Sequence, residues 1–298
     1  MVSLNKKLHL FFLFFSLFIL NTSRAQITSS DTLKLTSWNL HLLPSPVFFR
    51  YKKKLRTNQI ISYFNHQQSN NEVLLFQEVF HKKRRKQLIE GLKLNYPYFT
   101  EVVNNSNGKF LKTNSGLIIF SKFPFESSIS IKFNDCSSSD CMALKGAQMV
   151  SIKYHNKELY ILNTHLNSEP PRDIAINQMK HIKDSLIAKA YSQSPFVFIG
   201  GDFNINISDT SNYKKMIRIF KTKNKRHYDS TSKKKKSLVT ETLDYIFLYN
   251  SIESQIEITT FKYLIGPEWE KGKSKKVYGK TVGLSDHYPV KSTIVFQK

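Results

Sequence analysis

Cysteine is scarce in this sequence, because only Cys136 and Cys141 occur among its 298 residues. No second Cys/His pair with ligand spacing lies near them, which argues against a zinc site. In an oxidising compartment such a closely spaced pair can close a small loop as a disulfide. We therefore predict a Cys136–Cys141 bridge that shapes its own loop more than the stability of the whole domain.

Acidic residues are also few, with 22 Asp and Glu against 45 Lys and Arg, which gives a formal net charge of +23. A surface this basic favours anionic partners such as nucleic acid, anionic lipid headgroups or an acidic matrix. The charge does not choose among these partners. Lysine runs such as residues 233–236 are also typical of solvated loops that keep an exported protein soluble.

The apolar run at residues 10–20 is shorter than the roughly 20 residues that a membrane-spanning helix needs. Lys6 and Lys7 precede it, and a polar stretch ending at Arg24 and the small Ala25 follow it. This order is typical of a secretory signal peptide over residues 1–25, although an uncleaved anchor is the alternative. We expect cleavage after Ala25 and a secreted product, extracellular or periplasmic. Loss of Lys6, Lys7 and Arg24 lowers the charge of +23 by three, to +20.

The rest of the chain contains no Pro/Gly/Ser-rich linker and no internal repeat. Short β-like runs alternate with helix-like stretches, and several runs are continuously apolar, as in strands buried on both faces. Met179, Ile182 and Leu186 have the spacing of one buried helix face. The pattern predicts one α/β domain over residues 26–298. The helix-like stretches are residues 53–67, 82–94 and 173–190, and residues 221–236 and 266–283 are predicted to be exposed excursions.

Polar residues recur where these apolar runs begin or end. A charged group beside a buried strand costs several kcal/mol unless it is paired or bound to a metal, so a repeated placement of this kind indicates one shared polar site. Taken singly, each residue has a simpler interpretation, as a turn residue or a satisfied residue at a strand edge. The set comprises Asn39, Glu78, His165, Asp202, Asn204, Asp244, Asp286 and His287.

These residues stand in short motifs whose order resembles that of the endonuclease/exonuclease/phosphatase superfamily. The motifs are Ser-Trp-Asn39, Gln-Glu78-Val, Ser115-Gly-Leu, Asn-Thr-His165, Gly-Asp202-Phe-Asn204, Leu-Asp244-Tyr and Ser-Asp286-His287-Tyr-Pro. The resemblance spans nearly all of the mature chain. It implies an α/β fold with a two-sheet β-sandwich flanked by helices, the DNase-I-like four-layer sandwich, whose loops meet at one edge. It also implies a metal-dependent phosphodiesterase.

Oxygen-donating side chains predict the metal. Glu78 and Asn39 offer hard oxygen ligands, and without a thiolate or histidine cluster the expected ion is Mg2+, with Mn2+ or Ca2+ as alternatives. By the resemblance, Asp286 points to the metal side of the site.

The resemblance also assigns roles in catalysis. His287 matches the general base, which suits an imidazole that titrates near neutral pH. Asp244 matches the carboxylate that orients this histidine. Asp202 is expected to hold or polarise the attacking water, and Asn204 to donate to the phosphate. His165 is expected to contact the phosphate or to protonate the leaving oxygen.

Four features resemble the neutral sphingomyelinase branch of the superfamily. Pro44 follows the metal-site asparagine, Lys145 stands in a Lys-Gly segment before a strand, and the histidine motif has the form Thr-His165-Leu. Trp269, with Tyr278 further on, occupies the place where some secreted members carry an aromatic hairpin that enters membranes. Both have simpler alternatives, Lys145 as a solvated charge at a strand edge and Trp269 as the cover of a local apolar patch.

The sequence thus predicts a monomeric enzyme that hydrolyses sphingomyelin to ceramide and phosphocholine at a phospholipid membrane surface. The rival prediction is a secreted DNase-I-like endonuclease, which the +20 charge of the mature chain favours. Against it, the lysine-rich runs lack the interleaved aromatic residues of a platform that stacks bases. A binding protein without activity ranks last, because every expected catalytic position is filled.

Overall fold

The computed structural model of the chain describes residues 32–44, 52–66, 70–104, 112–222, 243–250, 257–262 and 284–296. The predicted signal segment, most of both predicted excursions, and Trp269 and Tyr278 lie outside these residues. Residues Leu33–Lys298 form one compact unit. No helix in the described part of the chain is both long and apolar enough to cross a membrane.

Eleven strands and five α-helices are found in the described residues. The strands are β1 Thr32–Asn39, β2 Val73–Gln77, β3 Tyr98–Phe99, β4 Ile118–Ser121, β5 Phe125–Lys132, β6 Gly146–Tyr154, β7 Lys157–His165, β8 Val197–Asp202, β9 Asp244–Leu248, β10 Glu257–Lys262 and β11 Val290–Val295. The helices are α1 Lys53–Asn65, α2 Lys82–Leu92, α3 Asp173–Ile182, α4 Ala188–Gln193 and α5 Thr210–Ile219.

The strands form two mixed sheets. One has six strands in the order β10-β11-β1-β2-β4-β3, and the other has five in the order β5-β6-β7-β8-β9. Strands β1 and β2 of the six-stranded sheet are parallel, as are β7 and β8 of the five-stranded sheet. Because parallel strands end at the same edge of a sheet, the residues that follow these four strands can converge from two directions.

Three apolar clusters stack the layers in the order helix, sheet, sheet, helix. The middle cluster joins the two sheets, with Leu35 and Leu75 from one and Ile161 and Phe198 from the other. A second cluster packs the five-stranded sheet on α3 and includes Met179, and the third packs the six-stranded sheet on α1 and α2. The predicted four-layer α/β sandwich is therefore confirmed.

Several element boundaries differ from the prediction. The helix predicted over residues 173–190 is interrupted by a π-helical turn at Lys183–Ile187, after which α4 continues to Gln193. Strand β5 was not predicted, because its side chains are mostly exposed and it carries few apolar residues. Such an edge strand lacks the continuous apolar run that marks the strands buried on both faces.

Candidate active site

The ends of the two sheets meet at one polar edge. Asn39 is the last residue of β1, and Asp202 is the last residue of β8. The Asn39 side-chain nitrogen donates to Asp202 Oδ2 at 3.0 Å, so this bond joins the two sheets directly. His165 ends β7 and Glu78 follows β2. The expected meeting of strand-end residues is thus observed.

A buried amide pair supports this edge from below. Gln77 Nε2 donates to Asn163 Oδ1 at 2.7 Å, and Asn163 Nδ2 donates to the backbone oxygens of Phe76 and Ile118. Both side chains are fully buried. These buried hydrogen bonds fix the relative position of the strands that carry them.

Backbone conformation at the edge is unusual. Glu78 has φ 56° and Asn204 has φ 51°, both in the left-handed region that non-glycine residues seldom adopt. Gly201, beside Asp202, has φ 147°, and a Cβ there would lie 2.1 Å from the backbone oxygen of Thr164. Strained residues of this kind cluster at functional sites, where the surrounding structure holds them.

Glu78, Asp202 and Asp286 form a cluster of three carboxylates. Burial raises the pKa of Glu78, His41 and a hydrogen bond from Asn39 lower it, and the charges of Asp286 and Asp202 raise it further. His41 Nδ1 lies 3.0 Å from Asp286 Oδ2. Burial would raise the pKa of Asp286, but this contact outweighs burial and lowers the pKa to about 2. Ionised acids held this closely repel one another, so the cluster favours a cation.

His287 is positioned by two acids. Its Nδ1 lies 2.8 Å from Asp244 Oδ2, and its Nε2 lies 3.7 Å from Asp202 Oδ2. Trp38 Nε1 donates to the backbone oxygen of His287 at 2.9 Å. Burial lowers the pKa of His287, but Asp202 and Asp244 outweigh it and raise the pKa to about 10. The pairing of His287 with Asp244 is the one that the sequence predicted.

His165 lies between the Asp202 carboxylate and the Lys145 ammonium. Its Nε2 is 3.6 Å from Asp202 Oδ2 and 3.3 Å from Lys145 Nζ. Burial and the charge of Lys145 lower the pKa of His165 to about 4. The imidazole is therefore neutral near pH 7, which favours contact with the phosphate over proton donation as its role.

Lys145 is buried, so its interpretation as a solvated strand-edge charge was wrong. Its Nζ forms an ion pair with Asp140 Oδ1 at 2.6 Å and donates to the backbone oxygen of Leu166 at 2.8 Å. Asn204 Nδ2 donates to the same oxygen at 2.9 Å. The Leu166 backbone oxygen thus accepts hydrogen bonds from both the Lys145 ammonium and the Asn204 amide, next to His165.

The predicted Cys136–Cys141 disulfide is present and closes the loop that carries Asp140. Asp140 Oδ2 also accepts hydrogen bonds from the backbone nitrogen and the hydroxyl of Ser168. The Asp140 carboxylate, inside the loop that the disulfide closes, therefore contacts both Lys145 and Ser168.

Removing the bridge tests its effect on stability. The double substitution Cys136→Ser/Cys141→Ser is expected to lower the free energy of unfolding by about 2 kcal/mol, the amount that chain entropy gives for so short a loop. Urea unfolding of the two proteins measures this difference. Reduction of the unsubstituted protein should reproduce it, and a loss above about 5 kcal/mol would contradict a mainly local role.

Replacing Lys145 tests its effect on His165. The substitution Lys145→Met removes the positive charge that disfavours the imidazolium, so the pKa of His165 should rise from about 4. An NMR titration of the His165 ring measures the change. Lys153→Met is the matched control, because Lys153 is exposed and pairs with Glu126 at 3.7 Å. A pKa that stays or falls in Lys145→Met would show that burial alone sets it.

The described residues offer two sets of metal donors. Asp202, Asp244 and His287 each supply one ligand atom, and these atoms lie within 4.8 Å of one another. The second set is Glu78 with Asp286; burial raises the pKa of Glu78 most, and the charge of Asp286 raises it further. Such oxygen-rich sets suit Mg2+. In this structure Asn39 turns its amide nitrogen to Asp202, and its oxygen accepts from the backbone nitrogen of His41 at 3.0 Å.

The structure brings together the eight strand-end residues and Lys145. The assignment of Glu78, Asn39 and Asp286 to the metal stays a prediction, as do the catalytic roles. His41 and Asp140 were missed, since one follows a strand as an isolated histidine and the other is an acid inside the disulfide loop. Trp269 and Tyr278 lie outside the described residues, so their membrane contact stays a prediction too.

A two-sheet sandwich with an acidic and histidine-lined edge defines the class of this protein. The model of the Endonuclease/Exonuclease/phosphatase family matches residues 36–287, and the chain belongs to that family.

Individual relatives are more distant. The phospholipase C of Staphylococcus aureus is 29% identical over 218 residues, which cover 66% of this chain and 64% of that protein. A sphingomyelinase C of Bacillus cereus is 27% identical over 224 residues, covering 68% of this chain and 66% of that protein. This chain thus spans just under two thirds of each. The crystal structure of a beta toxin mutant from Staphylococcus aureus with bound magnesium ions has a TM-score of 0.74 at 25% identity, covering 87% of this chain and 98% of that one.

Proposed function

We propose that this protein is a secreted, Mg2+-dependent phosphodiesterase that hydrolyses sphingomyelin to ceramide and phosphocholine. The observation that carries the proposal is the position of Lys145, whose Nζ lies 3.3 Å from His165 Nε2 at the site. In the sequence, the Lys145-Gly segment is one of the four features that resemble the neutral sphingomyelinase branch. The similarity to a sphingomyelinase C over 68% of the chain supports the same substrate.

His287 acts as the general base. Asp244 accepts from Nδ1 and so fixes the ring with Nε2 toward Asp202. A water that contacts both Nε2 and Asp202 from the open side of the site would give its proton to the ring and be oriented by the carboxylate. The contact between Trp38 and the His287 backbone keeps the ring in this place.

Glu78 and Asp286, with Asn39 beside them, would hold the Mg2+ ion. The ion would supply positive charge to the phosphate oxygens and offset the negative charge of the carboxylate cluster. A small set of protein ligands suits Mg2+, which keeps several waters and shares its ligands with a substrate phosphate. Positive charge near Asp202 would also lower the pKa of His287, since the charge of Asp202 is the largest single effect that raises it.

Lys145, His165 and Asn204 bind the phosphate. The ammonium and the Asn204 amide meet at the Leu166 carbonyl, and the neutral His165 ring lies beside them. Donors fixed in this way stabilise charge that develops on phosphate oxygens in the transition state. Because His165 is neutral, it contributes a contact and no proton.

Two substrates offered side by side test the proposal. Purified protein receives sphingomyelin liposomes and plasmid DNA, each with Mg2+ and with EDTA. Release of phosphocholine with Mg2+ and no DNA nicking is the expected result. Nicking alone would favour the endonuclease, for which the net charge of +23 is the main argument.

Amino-terminal sequencing tests the proposed export and signal-peptide cleavage. The order of the basic, apolar and small residues in residues 1–25 supports cleavage after Ala25. The amino-terminal sequence of protein recovered outside the cytoplasm should begin at Gln26. A product that still carries the apolar run would support an uncleaved anchor.

A further inference from the structure

A basic groove lies between α1 and α2, outside the catalytic groups. It has a volume of about 580 Å3, and its lining residues are Lys52, Lys53, Lys54, Leu55, Asn58, His81, Lys83 and Arg84. Five of these eight residues are lysine or arginine, and none is acidic. The groove is within the range of about 300–1,000 Å3 that is usual for small-molecule sites, so it can receive an anionic group the size of a lipid headgroup.

Two lysines of the groove, Lys54 and Lys83, form no ion pair found within the described residues. Neither helix has an acidic residue in its first turn. Burial and then the charges of Lys53, Arg84 and Lys83 lower the pKa of His81, which reports the positive field inside the groove. The positive charges of the groove repel one another, and a negatively charged partner would relieve that repulsion.

The groove adjoins the loops that lead from the catalytic edge. Lys53 Nζ donates to the backbone oxygens of Leu43 and Pro44, which follow Asn39 in the chain. The backbone nitrogen of His81, three residues after Glu78, donates to the backbone oxygen of Leu42 at 3.0 Å. A surface that engages the groove therefore meets the protein beside the edge that carries the metal-site residues.

One apolar side chain distinguishes a lipid surface from nucleic acid. Leu55 lines the groove among the lysines and is 37% exposed. At a membrane, cations contact lipid phosphates while an apolar side chain enters the headgroup region, and both contacts are favourable. A nucleic acid backbone gains nothing from the leucine, and the lining contains no phenylalanine, tyrosine or tryptophan on which a base could stack.

We propose that the groove between α1 and α2 binds the headgroups of anionic phospholipids and holds the protein on a membrane beside its catalytic edge. This inference depends on the proposed function only for the choice of a bilayer as the place of action. Sphingomyelin itself carries no net charge, so the groove adds attraction to other lipids of the same surface. The binding is independent of turnover and can be measured without it.

Charge reversal tests the groove. In the His287→Ala background, the double substitution Lys54→Glu/Lys83→Glu is expected to weaken binding to phosphatidylcholine–phosphatidylserine vesicles at least about tenfold, given the contribution of each lysine near an anionic surface. Both positions are exposed, and acids in the first turn of a helix are tolerated. The matched control is Lys180→Glu/Lys189→Glu, which makes the same change in net charge on α3 and α4. Vesicles of phosphatidylcholine alone should bind all proteins weakly.

The outcomes separate the alternatives. Equal losses in the groove and control pairs would overturn the inference, since net charge alone would then explain binding. No loss in the groove pair would also overturn it. So would a groove pair that loses affinity for duplex DNA and keeps its affinity for vesicles. Because the vesicles contain no sphingomyelin and the protein is inactive, failure here is distinct from failure of the proposed hydrolysis.

A fluorescent probe at the leucine gives a second measurement. Leu55→Trp should shift its emission to shorter wavelength on addition of the anionic vesicles, after subtraction of the signal from the unsubstituted protein. Leu94→Trp is the control, because Leu94 is 89% exposed and does not line the groove. An unchanged spectrum for Leu55→Trp, or an equal shift in both, would contradict contact through the groove.

Discussion

The substitution His287→Ala is expected to lower sphingomyelin turnover by at least about 100-fold, the smaller contribution usual for a positioned general base. The physical reason is the geometry around the ring. Asp244 holds Nδ1 at 2.8 Å, so Nε2 is the atom that faces Asp202 and the substrate side. Alanine removes that acceptor and leaves Asp202 to orient a water that nothing deprotonates. Phosphocholine release from liposomes, measured at saturating Mg2+, gives the ratio.

A control and a second readout separate catalysis from folding. His155→Ala should keep normal turnover, because His155 is an exposed residue that contacts the ring of Tyr154 away from the site. The substitution leaves the buried Asp244 without this partner, so the unfolding midpoint of His287→Ala should fall. Turnover is therefore compared at a temperature at which circular dichroism shows both proteins to be folded. Normal turnover in a folded His287→Ala protein would show that His287 is not the general base.

The substitution Glu78→Gln is expected to raise the Mg2+ concentration for half-maximal activity by at least about tenfold. Changes in groups that only orient a metal ligand already cost about 10- to 100-fold in affinity, and a direct ligand should cost no less. Titration of activity with Mg2+ measures the shift. Glu72→Gln is the matched control, because burial also raises the pKa of Glu72, which accepts from the backbone nitrogen of Lys34 at 2.6 Å.

In EDTA, Glu78→Gln should not lower the stability of the protein, although it weakens the response to Mg2+. The pKa of Glu78 is raised in the folded protein, so its ionised form opposes folding at any pH above the unfolded value near 4.5. Glutamine carries no charge beside Asp202 and Asp286. At neutral pH without metal, Glu78→Gln should therefore be at least as stable as the unsubstituted protein. A clear loss of stability would show that Glu78 has a structural role instead.

The sequence predicted those parts of the site that depend on strand ends. Asn39, Asp202 and His165 end strands rich in apolar residues, and strands buried between two layers are recognisable by that apolar content. The positions of parallel strands then bring their last residues to one edge. Local sequence pattern and topology agree at these residues.

Other parts depend on contacts across the chain that no local pattern reveals. Lys145, which pairs with Asp140 of the disulfide loop, also donates to the backbone oxygen of Leu166, 21 residues further on. The contact of His41 with Asp286 joins residues from opposite ends of the domain. A solvated lysine and a buried, paired lysine look the same in sequence. The difference in free energy between them comes from tertiary contacts.

Isotope labelling tests the central claim most directly. When hydrolysis of sphingomyelin is run in water enriched in oxygen-18, attack on phosphorus by the water that His287 deprotonates puts one labelled oxygen into phosphocholine. The ceramide hydroxyl then keeps the unlabelled oxygen of the substrate. Mass spectrometry of both products reads the outcome. Label in phosphocholine alone is the predicted result, and label in the ceramide hydroxyl would contradict attack at phosphorus.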